Sequence, residues 1–445
     1  MKKFKLKKYK HLKGSGQKLW EDAKKIIPGG NMFLSKNPEN YLPKFWPSYY
    51  HSAKGCVVKD LDNKKYIDMT MSVGTNILGY SNDAINNSVI KAIRNSTMST
   101  FNPKEEVILA KKLLKLHTWA GGVKFARTGG EANALSLRIG RSFIKKTKIA
   151  ICGYHGWHDW YLSANLNKKG NLNEHLLKGL STIGVPKELK NTVFPFTYGN
   201  YQQFEKILKR NDIGIVKMEV SRSLNADIKF LKKIRSECSK KNILLIFDEC
   251  TSGFRQTYGG IHKLYKIIPD LAIFGKSLGN GFAISAVIGK KKIMQSSRNS
   301  FISSTFWSER VGYVAAIKTL DEMKRKKSWK KLSSLGIYFR KELIRIAKKN
   351  KLEIKLSGLL AIPVFSIKND KNNIYKTYIT QEMLKKGFIV NNAVYISIAH
   401  NRKIFKRFFL ALDSIFGLIK KYNSHKKIRQ QLYGRESNSS FKRLN

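Results

Sequence analysis

Leu271-Ala272-Ile273-Phe274-Gly275-Lys276-Ser277-Leu278-Gly279-Asn280-Gly281 is the stretch on which the fold turns. Four apolar residues make a run of the right length for a buried strand, and a lysine follows it among glycines. An ammonium at the mouth of a buried strand is poorly solvated. Desolvation lowers a lysine's pKa and frees the amine as a nucleophile or base. Upstream, Ile243-Leu244-Leu245-Ile246-Phe247 is a second such run, and it ends at Asp248.

Between residues 76 and 320, short apolar runs alternate with helix-length amphipathic patterns. The runs lie at 123–126, 149–152, 213–218, 243–247, 271–274 and 285–288. This alternation predicts an α/β fold with a mostly parallel central sheet and helices on both faces. Ligands of such sheets bind beyond the carboxyl ends of the strands, where Asp248 and Lys276 fall. Residues 165–190 are polar and fit no element, as a lid or insertion would. Residues 1–75 read as an N-terminal segment. In it, a helical pattern over 17–27 stops at Pro28-Gly29-Gly30, and a hairpin pairs 55–60 with 65–68 around Asp62-Asn63. The large domain is expected over 76–322 and a smaller α+β C-terminal domain over 323–422. The smaller domain has amphipathic helix over 323–349, strand-like segments at 359–367, 387–390 and 394–398, and a final helix at 402–422. The basic remainder, 423–445, reads as a mobile tail.

The chain carries 85 Lys and Arg against 30 Asp and Glu, a net charge of +55. Charge of that size suggests nucleic acid or an anionic membrane as partner. The basic residues are spread along the whole chain beside abundant Asn and Ile, and no helix-turn-helix or RNA-binding motif interrupts the core pattern. The charge therefore reads as compositional drift, with solvated arms at 2–13 and 425–443 where basic density rises. No specific nucleic acid is expected as partner, and a non-catalytic nucleic-acid-binding protein is the remote alternative. No apolar run approaches the roughly 20 residues needed to span a bilayer. The N-terminal MKKFKLKKYKHLKG lacks the apolar core and cleavage site of a signal peptide, so a cytoplasmic protein without a membrane partner is expected. Cys56, Cys152, Cys238 and Cys250 are scattered with no CxxC, which suggests neither a disulfide framework nor a zinc site.

Several stretches carry chemistry. Thr128-Gly129-Gly130-Glu131 joins a strand to a helical pattern over 131–145 with capping-box spacing. Free amides at a helix N-terminus, approached closely through glycines, make a phosphate site, although an ordinary well-capped helix has the same look. Tyr154-His155-Gly156-Trp157-His158-Asp159 follows the run at 149–152. Tyr154 offers a flat face for stacking on a ring. The two histidines and the aspartate match no standard zinc spacing, and no metal is assigned. Asp248-Glu249-Cys250 ends a buried strand; a Mg²⁺ role would be accompanied by a Walker-type loop, which the chain lacks. Ser303-Ser304-Thr305 places hydroxyls before Phe306-Trp307 and Glu309-Arg310. A strand-end carboxylate and a strand-end lysine are the minimal pair for holding pyridoxal 5'-phosphate, the lysine through a Schiff base and the aspartate through the ring nitrogen.

Taken in order, these motifs resemble the class III pyridoxal-phosphate aminotransferases, and within them the glutamate-1-semialdehyde 2,1-aminomutase-like branch. The resemblance covers roughly residues 20–420 and is carried by Ile27-Pro28-Gly29-Gly30, the hairpin ending at Asp68, Asn76-Ile77-Leu78-Gly79-Tyr80, the TGGEA turn, YHGWHD, FDECTSGFR, FGKSLGNGF and SSTFW. It implies a fold-type-I homodimer with active sites shared between subunits. Lys276 matches the Schiff-base lysine, Asp248 the partner of the pyridinium nitrogen and Tyr154 the stacking aromatic. Gly129 and Gly130 match the phosphate turn, and Thr305 the phosphate hydroxyl given by the other subunit. Cys250 stands where an aliphatic residue packs on the opposite ring face.

The departures fall at substrate positions. Gly130 replaces a hydroxyl-bearing residue, and Thr128 is the candidate to supply that hydrogen bond. Asn392 stands where the aminomutase has a glutamate and Val73 where it has a tryptophan, and an arginine expected after the IPGG segment appears as Lys36 or is missing. The resemblance therefore implies amino-group transfer with a changed substrate, a small amino donor and oxo acceptor. The RTGGEAN, YHGWHDW and STFWSER versions look closer to relatives of amino-sugar or surface-polysaccharide pathways. The alternatives are the true aminomutase of tetrapyrrole synthesis, or a racemase or decarboxylase on the same fold. Arg222 and Arg310 are candidate anion contacts.

Overall fold

The computed structural model describes residues 14–175, 178–221 and 226–438. Arg222 lies outside the described residues. The chain divides into two compact units, one of Asp83–Lys330 and one of the flanking segments Met1–Asn82 and Lys331–Asn445.

The first unit is built on a seven-stranded sheet. Its strands are β1 (Gly122–Ala126), β2 (Lys148–Cys152), β3 (Val193–Pro195), β4 (Ile213–Glu219), β5 (Leu244–Asp248), β6 (Leu271–Phe274) and β7 (Ser285–Gly289). Their spatial order is β1-β7-β6-β5-β4-β2-β3. All pairs are parallel except those of β7, which runs antiparallel to β1 and β6. Every residue of β4, β5, β6 and β7 is buried, as expected of strands covered on both faces. The helices include α1 (Asp83–Arg94), α2 (Lys104–Leu116), α3 (Gly129–Ile144), α4 (Ile228–Lys240) and α5 (Arg310–Lys326). Helix α3 crosses the sheet against β1, β4, β5, β6 and β7. A Cβ added at Gly140 would stand 2.8 Å from Ile215 Cδ1, so the glycine lets α3 lie close on β4. The central sheet is thus the mostly parallel α/β sheet read from the apolar runs, with β3 added. That three-residue edge strand is too short to show as a run.

In the second unit, Tyr50–Lys54, Val57–Asp60 and Lys65–Asp68 form an antiparallel meander, and Phe388–Ile389 adds parallel to Lys65–Asp68. Ile354–Ser357 pairs with Val364–Ile367. The amphipathic region around 323–349 is two helices, because Lys327 adopts φ +46° and ends α5 before Ser328–Lys349 begins. The helix Arg402–Tyr422 buries a stripe of Phe405, Phe408, Phe409, Leu412, Ile415, Phe416 and Ile419. Beyond 423, where the sequence suggests a tail, the structure holds a further helix, His425–Gln431. Ile428 and Leu432, four residues apart, bury its one apolar edge, and Gln381 Nε2 donates to the Gln431 carbonyl at 3.0 Å.

Asp270, just before β6, ties together the start of the sheet's central strands. Its carboxylate accepts from the Leu245 amide at 2.8 Å, from Arg235 of α4 at 2.8 Å and from Lys290 after β7 at 2.7 Å. Burial alone would raise its pKa; the Arg235 charge, the Leu245 amide and the Lys290 hydrogen bond outweigh burial and hold it below the usual range. Asp270→Asn is expected to cost about 2 kcal/mol near neutral pH. A depressed carboxylate contributes above the ordinary aspartate value of about 3.9 and loses that contribution as pH falls through its folded pKa. The difference between variant and wild type in urea unfolding should therefore shrink below about pH 4.

Candidate active site

Asp248 is the last residue of β5 and only 4% exposed. His155 Nδ1 donates to its Oδ2 at 2.9 Å, and the Cys250 amide donates to its Oδ1 at 3.0 Å. Burial pushes a carboxyl upward, yet the His155 hydrogen bond, the His155 and Lys217 charges and the Cys250 amide prevail. Asp248 is held well below the usual carboxylate range. It is an anion kept in a nearly dry place, which only hydrogen bonds and opposite charge can sustain.

Lys276 follows β6 by two residues, and β6 lies beside β5 in parallel register. Its backbone sits at φ +42°, a left-handed conformation unusual for lysine and typical of functional sites. Its Nζ donates to Thr251 Oγ1 at 2.8 Å. Burial lowers its pKa, Cys250, Glu219 and Asp248 pull it up, Arg255 pulls it down, and the net shift is downward. An amine of this kind is more readily neutral than an exposed lysine and more nucleophilic.

The turn before α3 is a complete capping box. Glu131 N–H donates to Thr128 Oγ1 at 3.2 Å, and the Thr128 amide donates to Glu131 Oε2 at 2.7 Å. The Arg127 amide and Trp307 Nε1 also donate to the Glu131 carboxylate, at 3.0 and 3.2 Å. The first-turn amides of Gly129 and Gly130 have no carbonyl partner within the helix, as for any helix start, and can meet an anion. A Cβ at Gly129 would lie 3.2 Å from Cys250 Sγ, and one at Gly130 would lie 2.8 Å from His158 Cε1. The glycines let the turn close against both neighbours. Cys250 also lies against Gly275, just before Lys276, and burial keeps its thiol protonated by raising its pKa well above the ordinary value.

Tyr154 follows β2 through Gly153, which has φ +112°. The Tyr154 amide donates to Glu219 Oε2 at 3.0 Å, and its ring meets Tyr161 edge-on at 5.7 Å. Lys276, Asp248, Cys250, Thr128, Gly129, Gly130 and Tyr154 all stand at or just beyond the sheet's strand ends or on the turn that opens α3. Thr305 is different: it is exposed on the short helix Thr305–Ser308, and its hydroxyl makes no hydrogen bond among the described residues. Arg127 holds that segment by donating to the Phe306 carbonyl at 2.6 Å and to the Glu309 carbonyl. Arg310 is engaged elsewhere, its guanidinium donating to Glu105 at 2.8 and 3.1 Å and to the Asn95 carbonyl at 3.3 Å. His158 stacks on Trp157 at 4.7 Å while His155 serves Asp248, so the two histidines do not converge. Among the described residues no group of three or more His, Cys, Asp or Glu could hold a metal.

Sequence reasoning overlooked Glu219, Thr251 and the pairing of His155 with Asp248. Glu219 had the same signal as Asp248, a carboxylate directly after a buried run. The other two had no local signal, because Thr251 meets Lys276 across 25 residues and His155 meets Asp248 across 93.

These residues fit a flat cofactor carrying a phosphate. The turn offers amides and no side-chain bulk, Asp248 is a buried anion, and Lys276 is a desolvated amine. Because a Cβ at Gly130 would press on the His158 ring, Gly130→Ala is expected to destabilise the protein by about 1–3 kcal/mol. Urea unfolding checks this; an unchanged midpoint would mean that His158 moves aside freely.

The family described as aminotransferase class-III matches residues 43–401. A 3-aminobutyryl-CoA aminotransferase of Cloacimonas acidaminovorans is 32% identical over 374 residues, covering 82% of this chain and 86% of the relative. A glutamate-1-semialdehyde 2,1-aminomutase of Nitrosopumilus maritimus is 31% identical over 433 residues, covering 90% and 99%. Among solved structures, the FumI protein of Sphingopyxis sp. MTA144 superposes with a TM-score of 0.83 at 25% identity, covering 92% of this chain and 97% of that one. A glutamate-1-semialdehyde aminomutase of Pseudomonas aeruginosa superposes at 0.78 with 13% identity, covering 93% and 97%, a likeness of fold alone. The chain belongs to the class III aminotransferases, a family of pyridoxal-phosphate-dependent enzymes.

Proposed function

We propose that this protein transfers an amino group between a small amino donor and an oxo acceptor, with Lys276 and Asp248 as its central pair. The observation that carries the reading is the placement of a desolvated lysine and a buried anionic aspartate at the ends of adjacent parallel strands, beside a glycine turn. The Gly129 and Gly130 amides would bind the phosphate of pyridoxal 5'-phosphate, with Thr128 as a further hydroxyl. Tyr154 and Cys250 would flank its ring, Asp248 would hold the proton on its nitrogen, and Lys276 would hold its aldehyde carbon. Bound there, the cofactor supplies an electron sink for the pair left behind when a proton leaves the carbon beside the substrate amine. Lys276, once its amine is free, would take that proton as base and, as acid, deliver it to the former aldehyde carbon of the cofactor. Asp248, paired to His155, cannot readily accept a proton and so leaves it on the ring.

We also propose a homodimer. Ile90, Ile93, Phe101, Val107, Phe301 and Phe306 are exposed apolar side chains on the Asp83–Lys330 unit, and Thr305 is free to serve a neighbouring subunit's phosphate. A cytoplasmic location fits four buried free cysteines, and among the described residues no helix is long and apolar enough to cross a membrane.

For the substrate, Asn392 and Val73 argue away from glutamate-1-semialdehyde, and the motif versions favour an amino-sugar or surface-polysaccharide pathway. A second reading, a 3-amino acyl thioester, is favoured by the match to the 3-aminobutyryl-CoA aminotransferase. Half-reactions decide between them. Protein loaded with pyridoxal phosphate is offered amino sugars, β-amino acyl thioesters or glutamate-1-semialdehyde, and a true donor discharges the visible band with one equivalent of oxo product. Band changes without oxo product would point to a racemase or decarboxylase.

Borohydride reduction and peptide mapping should label Lys276, and a label on another lysine would overturn the assignment. Lys276→Ala is expected to lose at least about 10³-fold in turnover. Asp248→Asn should still take up cofactor but lose about 10²-fold or more; near-normal turnover would count against its role.

A further inference from the structure

Lys217 lies within β4, in the run Ile213-Gly214-Ile215-Val216-Lys217-Met218-Glu219, and it is 0% exposed. A central parallel strand ordinarily holds apolar residues at every such position, and lysine is among the residues least often fully buried. Its register partners are Ile246 on β5 and Ile151 on β2. Its ammonium donates to Ser136 Oγ of α3 at 2.8 Å, and that hydroxyl donates to the Asn133 carbonyl at 2.7 Å. The Trp160 ring centroid lies 5.9 Å from the ammonium, and Trp160 stacks at 6.4 Å on His155, the partner of Asp248.

Side chains alternate along a strand, and Glu219 is in register with Asp248 as Lys217 is with Ile246. Lys217 is therefore on the face that carries Asp248, one diagonal step below its carboxylate. The groups around the ammonium are Asp248 and Cys250 from β5 and its following turn, Ser136 from α3 and Trp160 from the connection after β2, with Glu219 two residues on in β4 on the same face. Of the two titratable groups that pull on the ammonium, Asp248 is the anion, since Cys250 is held as a thiol. Burial lowers the Lys217 pKa to about 8 against the pull of Asp248 and Cys250, so the amine is charged near neutral pH.

We infer that Lys217 is a positioning residue for the ring-nitrogen end of the cofactor site, its buried ammonium standing behind Asp248 and setting the net charge that the cofactor nitrogen meets. The inference rests on the pyridoxal phosphate reading above. A cation close to a proton-bearing nitrogen disfavours its protonated form, so deleting the cation favours it.

Lys217→Met keeps a flexible unbranched side chain and removes the charge. In protein loaded with pyridoxal phosphate, the pH midpoint of the visible absorption band should rise by about 0.5 to 1 unit relative to wild type. Without cofactor, the variant should be the more stable in urea near pH 7. A lysine whose folded pKa is depressed destabilises below that pKa and recovers as pH climbs toward its unfolded value. The variant's advantage should thus fade above about pH 8. A merely structural role would give the same urea behaviour and leave the band midpoint unmoved. Ser136→Ala, a second variant, deprives the ammonium of its acceptor and should move the midpoint less and in the same direction. Wild-type protein that takes up no pyridoxal phosphate would overturn the functional reading and this inference with it. Wild type that loads normally beside variants with unmoved midpoints would overturn this inference alone.

Discussion

The site depends on one buried ion. Asp248 keeps a negative charge in a place with almost no water, and a bare carboxylate there would simply take up a proton. The His155 hydrogen bond, the Cys250 amide and the cation of Lys217 prevent this. Those three supports come from the loop after β2, the turn after β5 and the middle of β4. The anion therefore exists only when the parallel sheet has assembled in its proper order, with β5 between β4 and β6. Because adjacent strands are in register, the lysine after β6 is brought to the same rim as the aspartate ending β5.

Around that anion the backbone is unusually constrained. Lys276 is left-handed at the end of a buried strand, and Gly153 takes the positive φ that turns the chain toward Tyr154. Glu131 gathers donors from Thr128, Arg127 and Trp307, and so locks the turn that opens α3 to the segment bearing Thr305. Rigid supports of this kind hold polar groups in place before a ligand arrives, which is how an enzyme avoids reorganising during reaction. Helix α3 presents the capped glycine turn at one end and the acceptor for Lys217 further along, so one element serves both ends of the candidate cofactor site.

The surplus of positive charge is largely separate from this chemistry. The few acids are often shared, as Asp270 is between Arg235 and Lys290, and Glu322 among Lys318, Arg325 and Lys326. Pairs exposed on both sides, such as Lys25 with Asp22, contribute little each and are screened by salt. Buried charge is where electrostatics matters in this molecule, and Lys217 and Asp248 are its clearest instances.

From the amino-acid sequence alone came the alternation of buried runs and helices, hence the sheet, and with it the strand-end residues Asp248 and Lys276, the capping turn at Thr128 and the aromatic at Tyr154. These are legible because each is a local pattern: an apolar run, then a polar residue, a glycine or a cap. Tertiary structure alone decided which groups stabilise them. His155 as the partner of Asp248, Thr251 as that of Lys276, Ser136 as that of Lys217 and the engagement of Arg310 by Glu105 all join residues far apart in the chain. The burial of Ile428 and Leu432 beyond the last expected helix belongs to the same class. Such contacts follow from strand order and helix packing, which bring distant residues together and leave no periodic trace in the chain.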